Sequence, residues 1–393
     1  MSEEARRRNF IILTLTWAIM SPFSSAVNVY FSLFVLELGG TVVDLGLINL
    51  ASLTTLALSR LAGGYLADAV GRKRVIVPMT MLFALSYLLF IIAPDWRFLL
   101  IGSVINSLAL MYQPALMALM GDILPEGRRG SSISIMNAPS QLLNLAGPPL
   151  ATLTVSALGL ERGMRAIFTL VMTSTLISGI LRIFLIETRN VKIKPSFSQA
   201  LIDYKDTLRA FRGDLGKLIM ITSSVAGVYN MAYPYVQVYA VKYLDLSLEF
   251  WGWLSTLVAF LSTISLVVSG ALSDRIGRNL MMALGYGSGL AGLLMIALAP
   301  RGDPLYFTVA MMVNAMFSSY PPAQAMLVDL TSEEVRGKVN AISGLLEGAL
   351  AGPMSALGGL LYTVLGPYLF LIASLSLLPM VVGAVGLSGG KRA

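Results

Sequence analysis

The sequence has 393 residues, of which 56% are hydrophobic and only 12% are charged, with a formal net charge of +7. Its mean hydropathy of +0.76 implies more apolar surface than a soluble fold of this length could bury, so the composition excludes a soluble globular protein and indicates a membrane protein. Cysteine and histidine are both absent from the sequence, which excludes disulfides, thiolate metal sites and imidazole proton relays.

Apolar runs recur along the chain, each long enough to cross about 30 Å of hydrocarbon as a helix. Twelve runs predict transmembrane spans 1 to 12 at residues 10–36, 45–67, 75–93, 98–120, 132–157, 164–186, 218–240, 250–272, 280–299, 305–327, 338–363 and 368–387. The first run is too long for a signal peptide and lacks a small-residue cleavage pattern, so we expect it to remain as span 1.

The distribution of Lys and Arg predicts the orientation of the spans. With the N-terminus inside, 21 of the 28 basic residues fall in inner segments and five fall in outer segments. Both termini are therefore predicted to be cytoplasmic, and the expected location is a prokaryotic plasma membrane. Because this topology accounts for the positive charge, nucleic acid is not expected as a partner.

Two polar loops repeat one short pattern, GGYLADAVGRKR at 63–74 and SGALSDRIGRN at 269–279. Asp68 and Asp274 lie 206 residues apart, and Gly71 and Arg72 match Gly277 and Arg278 at the same offset. Further pairs follow at offsets of 205 to 207, namely Pro114 with Pro321, Asp122 with Asp329 and Gly147 with Gly352. We therefore predict an all-α polytopic membrane protein with twelve transmembrane helices in two parallel six-helix repeats.

This arrangement predicts an N-terminal six-helix bundle over 1–186, a cytoplasmic linker over 187–217 and a C-terminal six-helix bundle over 218–393. Apolar residues recur every three to four positions in the linker and predict an amphipathic helix on the inner leaflet: Leu201, Tyr204, Leu208, Phe211 and Leu215. A loop that merely tethers the bundles is the alternative.

The two loops resemble the signature that members of the major facilitator superfamily carry between helices 2 and 3, with a second copy between helices 8 and 9. The chain departs from that signature at Ala69, where the family often has Arg, whereas the second copy keeps Arg275. The resemblance covers essentially the whole chain. It implies a secondary transporter that works by alternating access, with no cofactor and as a monomer.

The resemblance also implies that the loops form a conformational latch at the inner side. An Asp at the inner end of a helix can accept hydrogen bonds from the exposed N–H groups that begin a neighbouring helix. In the family these neighbours are helix 11 for the first copy and helix 5 for the second, and each loop Arg pairs with an acid. The implied latch residues are Asp68, Gly71, Arg72, Asp122, Asp274, Gly277, Arg278 and Asp329. Loop charges that only set topology are the alternative, but they leave the Asp and Gly spacing unexplained.

By analogy with the family, spans 1, 4, 7 and 10 line the substrate cavity, and each of these spans also contains a proline. Their polar and aromatic residues are the candidate substrate ligands: Asn28, Tyr30, Asn106, Tyr112, Gln113, Tyr229, Asn230, Tyr233, Gln237, Asn314, Tyr320 and Gln324. Any one of them could instead make a hydrogen bond between helices.

None of these candidates is charged, which favours neutral, zwitterionic or lipophilic organic solutes. The aromatic residues and the 21 methionines favour efflux of drug-like or amphipathic compounds. A sugar or other small-nutrient carrier is the alternative, because amides and tyrosines also bind hydroxyl groups. A channel or a non-transporting sensor on the same scaffold is a further alternative. No catalytic constellation is recognisable, so an enzyme is not expected.

Two charged residues within the spans form a candidate gate. Arg60 in span 2 and Glu347 in span 11 are expected about 12 and 16 Å from the inner surface, at 1.5 Å per helical residue. They could pair when the inner side closes, and protonation of Glu347 would release the pair, which makes protons the candidate coupling ion. A static ion pair, or a Glu347 bound to neighbours in its own half, is the alternative. Gly102 occupies the place where proton-linked drug antiporters carry Arg, so coupling stays open.

Overall fold

The computed structural model describes residues 2–124, 129–188 and 213–387, and the side chains of residues 129–131, 333–338 and 341 lie outside the description. Within these ranges the regular structure is helical and no strand occurs. The protein is therefore all-α, in agreement with the apolar periodicity of its spans.

Eight helices form in the first half of the chain: α1 (Glu3–Glu37), α2 (Val42–Val70), α3 (Arg72–Ile91), α4 (Trp96–Ala109), α5 (Tyr112–Ile123), α6 (Arg129–Asn144), α7 (Gly147–Leu158) and α8 (Leu160–Ile183). Seven more follow: α9 (Gly213–Val238), α10 (Leu248–Ile276), α11 (Arg278–Ala297), α12 (Pro304–Asn314), α13 (Tyr320–Asp329), α14 (Glu333–Leu365) and α15 (Tyr368–Val385). A π-helical turn, Tyr239–Tyr243, extends α9. Polar side chains accept from the first backbone N–H groups of α1, α4 and α10, which fixes where those helices begin.

The helices separate into two compact units. Unit 1 comprises Met1–Thr41 and Ala51–Ala200, and unit 2 comprises Val42–Leu50 and Leu201–Ala393. The first nine residues of α2 therefore belong to unit 2 and the remainder of the helix belongs to unit 1. The predicted amphipathic residues 201, 204, 208 and 211 of the linker lie outside the described residues, whereas Leu215 lies in α9.

The two units pair their helices in the same way. In unit 1, α1 packs on α6 and α7, and α3 packs on α8 and α4. In unit 2, α9 packs on α14, and α11 packs on α15 and α12. These are the pairings that two copies of one six-helix pattern require, so the internal repeat of the sequence is a repeat of packing as well.

Nine helical segments of the described chain are long and apolar enough to cross a membrane. The predicted spans 5, 7 and 10 are not among these nine, so the count of twelve stays a prediction. Spans 5 and 10 are each interrupted, the former between Asn144 and Gly147 and the latter between Asn314 and Tyr320.

Span 4 is interrupted as well, between Ala109 and Tyr112. Prolines follow the interruptions of spans 4 and 10 within the first turn of the next helix, at Pro114 and Pro321, where the lost N–H donor costs little. Pro22 and Pro234, by contrast, lie inside the continuous helices α1 and α9. Proline alone therefore does not end a span here.

Candidate functional site

In each repeated loop a single glycine forms the turn between two successive helices. Gly71 joins α2 to α3 with φ of 109°, and Gly277 joins α10 to α11 with φ of 99°. Residues with a side chain rarely adopt such positive φ values, because their Cβ atom would crowd the following carbonyl oxygen. The glycines thus allow Arg72 and Arg278 to stand at the first position of the next helix.

Both arginines make the same contacts within their own units. Arg72 forms an ion pair with Asp122 on α5, and its guanidinium donates to the carbonyl oxygen of Ala118 at 2.6 Å. Arg278 forms an ion pair with Asp329 on α13 and donates to the carbonyl oxygen of Ala325 at 2.6 Å. Each basic loop is therefore tied to the end of an interrupted span.

Asp68 and Asp274 lie at the loop ends of α2 and α10, where Asp68 is half-buried and Asp274 is exposed. Their docking on the helices of spans 11 and 5 stays a prediction. The eight latch residues thus fall into two equivalent groups of four, one in each unit.

Glu187 lies beyond the end of α8 and contacts the loop of unit 1, a role that was not predicted from the sequence. Its carboxylate accepts from the backbone N–H groups of Arg72 at 3.2 Å and Lys73 at 2.9 Å. These donors begin α3, where the helix dipole favours negative charge. The signal for this role was present, since Glu187 is the first acid after span 6 and the motif opposite it is basic.

In unit 1, some candidate substrate residues gather at the interruption of span 4. Asn106 donates to the hydroxyl of Ser86 at 3.1 Å, and Tyr112 packs edge-on against Phe83 with ring centroids 6.4 Å apart. The candidates of span 1 do not join them as a pair, because Asn28 is exposed whereas Tyr30 is fully buried in the core.

In unit 2, Tyr229, Tyr233 and Asn314 form an aromatic and amide cluster. The rings of Tyr229 and Tyr233 pack edge to face at 66° with centroids 5.2 Å apart, and the Tyr233 hydroxyl donates to the Asn314 side chain. The Asn314 amide in turn donates to the carbonyl oxygen of Gly289 at 3.2 Å. The cluster therefore joins α9, α11 and the end of α12.

Among the described residues, the remaining candidates of unit 2 make no side-chain hydrogen bond to this cluster. Asn230 bonds within its own helix, to the carbonyl oxygen of Ala226 at 2.8 Å. Gln237 is buried, and its side-chain oxygen has no hydrogen-bond partner among the described residues. Tyr320 is 64% exposed and Gln324 is also exposed.

The interruptions of spans 4 and 10 have matching flanks. Asn106 precedes one interruption and Tyr112 follows it, while Asn314 and Tyr320 flank the other at the same spacing of six residues. An interrupted helix inside a membrane leaves backbone groups to be satisfied by side chains or by a bound solute. The repeat thus places an asparagine before and a tyrosine after an interruption of the helix in each unit.

The model of the family described as Major Facilitator Superfamily matches residues 10–300 and, in a second match, residues 218–389. The chain belongs to this superfamily. Two overlapping matches on one chain agree with the two copies of the repeat. The protein is accordingly a multi-pass membrane transporter rather than an enzyme. No curated protein matches the chain significantly.

Solved structures of superfamily transporters share the fold. A bacterial homolog of the human lysosomal transporter Spinster, in an inward-facing and unoccupied conformation, has a TM-score of 0.70 and 14% identity, covering 98% of this chain and 95% of that chain. The nucleoside transporter NupG (D323A mutant) has a TM-score of 0.72 and 12% identity, covering 98% of this chain and 99% of that chain. A D-xylose-proton symporter has a TM-score of 0.70 and 16% identity, covering 98% of this chain and 97% of that chain. Because the identities are low, these likenesses show the superfamily fold alone.

The two charged gate candidates lie in different units of this superfamily member. Arg60 is exposed on α2 and donates to the side-chain oxygen of Gln113 at 3.2 and 3.3 Å, both residues being in unit 1. Glu347 lies on α14 in unit 2, where it and Tyr229 are electrostatic neighbours of Tyr286. Tyr286 therefore connects the acid electrostatically with one member of the aromatic and amide cluster of its own unit.

Proposed function

We propose that the protein is a secondary active carrier that moves a small amphipathic organic solute by alternating access, in the direction of efflux. The observation that carries this proposal is the matched pair of interrupted helices, each flanked by an asparagine and a tyrosine. Amide and hydroxyl groups beside aromatic rings suit a solute with one polar end and one apolar end. The repeated loops then act as the latch that opens and closes the inner side.

The second candidate function is a sugar or small-nutrient carrier. It is favoured by the buried Gln237, whose side-chain oxygen has no partner among the described residues and could accept from a solute hydroxyl. Related structures include a nucleoside transporter and a D-xylose-proton symporter, so the fold accommodates hydroxyl-rich solutes as well.

Proton coupling belongs to the proposal through Glu347. Glu347 shares the neighbour Tyr286 with Tyr229, which is one of the candidate substrate ligands of unit 2. An acid in this position can exchange a proton for a solute when the cavity changes sides. The direction of the proton flux then sets the direction of solute movement.

The test is counterflow in sealed proteoliposomes with two probe sets, a lipophilic cation such as tetraphenylphosphonium and a sugar such as D-xylose. Saturable counterflow of the amphipathic probe supports the efflux carrier, and saturable counterflow of the sugar alone supports the second candidate. Non-saturating flux identifies a channel, and no counterflow of either probe contradicts both candidate functions for these two solutes.

A matched pair of variants tests whether the aromatic and amide cluster of unit 2 takes part in transport. Asn314→Ala removes the amide that joins Tyr233 to Gly289 and should lower counterflow by about tenfold, the effect of losing roughly 1.4 kcal/mol. Thr308→Ala changes the same helix but removes a hydroxyl that bonds only to Pro304 of that helix, so transport should stay unchanged. Equal losses in both variants would contradict a role for the cluster.

A further inference from the structure

Arg182 is a fully buried arginine in the core of unit 1. Its side chain is the largest of those with under 2% exposure, and it projects from α8 toward α1 and α3. The Nε atom donates to the Thr16 hydroxyl at 3.3 Å, and one terminal nitrogen donates to the Thr80 hydroxyl at 2.8 Å. A guanidinium stays protonated in proteins, so the core of unit 1 contains a permanent, buried positive charge.

The partners of this charge are neutral. Thr16 donates its own proton to the carbonyl oxygen of Leu13 at 3.1 Å, and Thr80 donates to that of Ile76 at 2.7 Å. Both hydroxyl oxygens therefore act toward Arg182 as acceptors only. Within the described part of the chain no carboxylate forms an ion pair with Arg182, although a buried charge normally requires a counter-charge.

Two buried polar atoms of α8 lack hydrogen-bond partners among the described residues. They are the second terminal nitrogen of Arg182 and the hydroxyl of Thr175. Thr175 lies seven residues before Arg182 on α8, which places both on one face of the helix, and helical side chains lean toward the N-terminus, here toward Thr175. An oxyanion with two oxygens would satisfy both donors at once.

The ring of Tyr112 lies against this guanidinium. The Arg182 carbon that joins the three nitrogens is 5.1 Å from the ring centroid, within the range of a cation–π contact. Tyr112 is the first residue of α5, directly after the interruption of span 4. A shift of the chain at this interruption would move the ring and expose the guanidinium to the cavity that span 4 is predicted to line.

We propose that Arg182 and Thr175 bind the carboxylate or sulfonate group of an amphipathic solute, with Tyr112 covering the site when it is empty. The proposal rests on the carrier function proposed above and narrows its substrate class from amphipathic organic solutes in general to amphipathic organic anions. The candidates chosen from the sequence were all uncharged, because a single arginine near the end of span 6 gives no sign of which way its side chain points.

Matched pairs of an acid and its amide test the site, namely octanoate with octanamide and benzoate with benzamide, titrated calorimetrically into the purified protein. The wild type should bind at least one acid about tenfold more tightly than its amide, the effect of one charge-assisted contact. Arg182→Gln should abolish this preference, and Arg182→Lys should retain part of it. Arg165→Gln is the control, since it removes an arginine from the same helix that bonds to the carbonyl oxygens of Ile91 and Ala93 instead.

Thr175→Val keeps the shape of the side chain and serves if Arg182→Gln does not fold. This variant should lower the affinity for the acids several-fold and leave the affinity for the amides unchanged. Equal affinities of acid and amide in the wild type, or an unchanged preference in both variants, would overturn the proposal. So would chloride binding without any carboxylate preference, because that identifies a resident inorganic ion.

Counterflow of the same probes separates this proposal from the carrier function. A carboxylate preference without counterflow supports the Arg182 site and contradicts the carrier. Counterflow without a carboxylate preference supports the carrier and overturns the site.

Discussion

The carboxylate of Glu187 holds the first two backbone N–H groups of α3, next to the ion pair of Arg72 and Asp122. One acid thereby compensates the start of a helix whose preceding residue, Gly71, has no side chain to cap it. The loop of unit 1 is consequently a small charge network in which each acid has a distinct donor.

Glu187→Gln should lower the free energy of unfolding by about 0.3 to 2 kcal/mol, because the amide keeps the shape but loses the charge at the helix start. The midpoint of thermal unfolding in detergent measures this loss. Glu161→Gln is the control at the other end of α8, where Glu161 makes an exposed pair with Arg165 four residues on, so its effect should be small. An equal decrease in both variants would refute the capping role.

At the scale of helices, α2 and α14 approach each other through glycines within unit 2. A Cβ atom added at Gly359 would lie 2.6 Å from the carbonyl oxygen of Val42 and 2.9 Å from the hydroxyl of Tyr235. One added at Gly46 would lie 2.8 Å from the same hydroxyl. Asn49 donates across this approach to the hydroxyl of Ser355 at 3.1 Å. Backbone contact of this kind requires the smallest residue.

Gly359→Ala should displace the first turns of α2 from α14, because the methyl group would meet backbone atoms that cannot yield. The chain has no cysteine, so paired cysteines at Asn49 and Ser355 report the approach through the yield of disulfide. That yield should fall by half or more in Gly359→Ala. Gly344→Ala, on the same helix with no atom within 4 Å of its added Cβ, should give the wild-type yield. An undiminished yield in Gly359→Ala would show that the approach tolerates a methyl group.

At the scale of the whole molecule, the proposed proton coupling involves both units, because its candidates Glu347 and Arg60 lie one in each. Glu347→Gln should abolish the pH dependence of counterflow while solute binding persists, because the amide cannot titrate. Arg60→Glu combined with Glu347→Arg should recover part of what either single change loses. Glu249→Gln, in the first turn of α10, is the control acid and should leave the pH profile unaltered.

A Glu347→Gln protein with the wild-type pH profile would remove Glu347 from the coupling mechanism. A charge swap that transports no better than the single variants would remove the pairing with Arg60.

The all-helical membrane fold was predictable because apolar length and a repeat at a fixed offset are properties of the sequence itself, and the family match confirms it. Three features were not predictable. The interruptions of spans 4 and 10 depend on local packing, since Pro22 and Pro234 do not interrupt their helices. The burial of Arg182 depends on the direction of its side chain. The contacts of Glu187 depend on how the segment after α8 packs against the loop between α2 and α3, which is distant in the sequence.

The candidate site was likewise predictable only in part from the sequence. Arg72 with Asp122 and Arg278 with Asp329 lie together because the repeat and the resemblance fixed both members of each pair. Tyr229, Tyr233 and Asn314 could be named as candidates, but their joint contacts require coordinates. Tyr30 shows the limit, since a tyrosine in a cavity span and a tyrosine in a core have the same sequence signature.

The burial of Arg182 also bears on how the chain enters the membrane during synthesis. Arg182 lies in the last turn of α8, where the side chain of an arginine can reach the membrane interface while the helix is still alone in lipid, so its burial has to follow when α8 packs against its neighbours. Its acceptors Thr16 and Thr80 belong to α1 and α3, which leave the ribosome earlier. The order of the helices along the chain therefore lets the charged helix arrive after the hydroxyls that receive it.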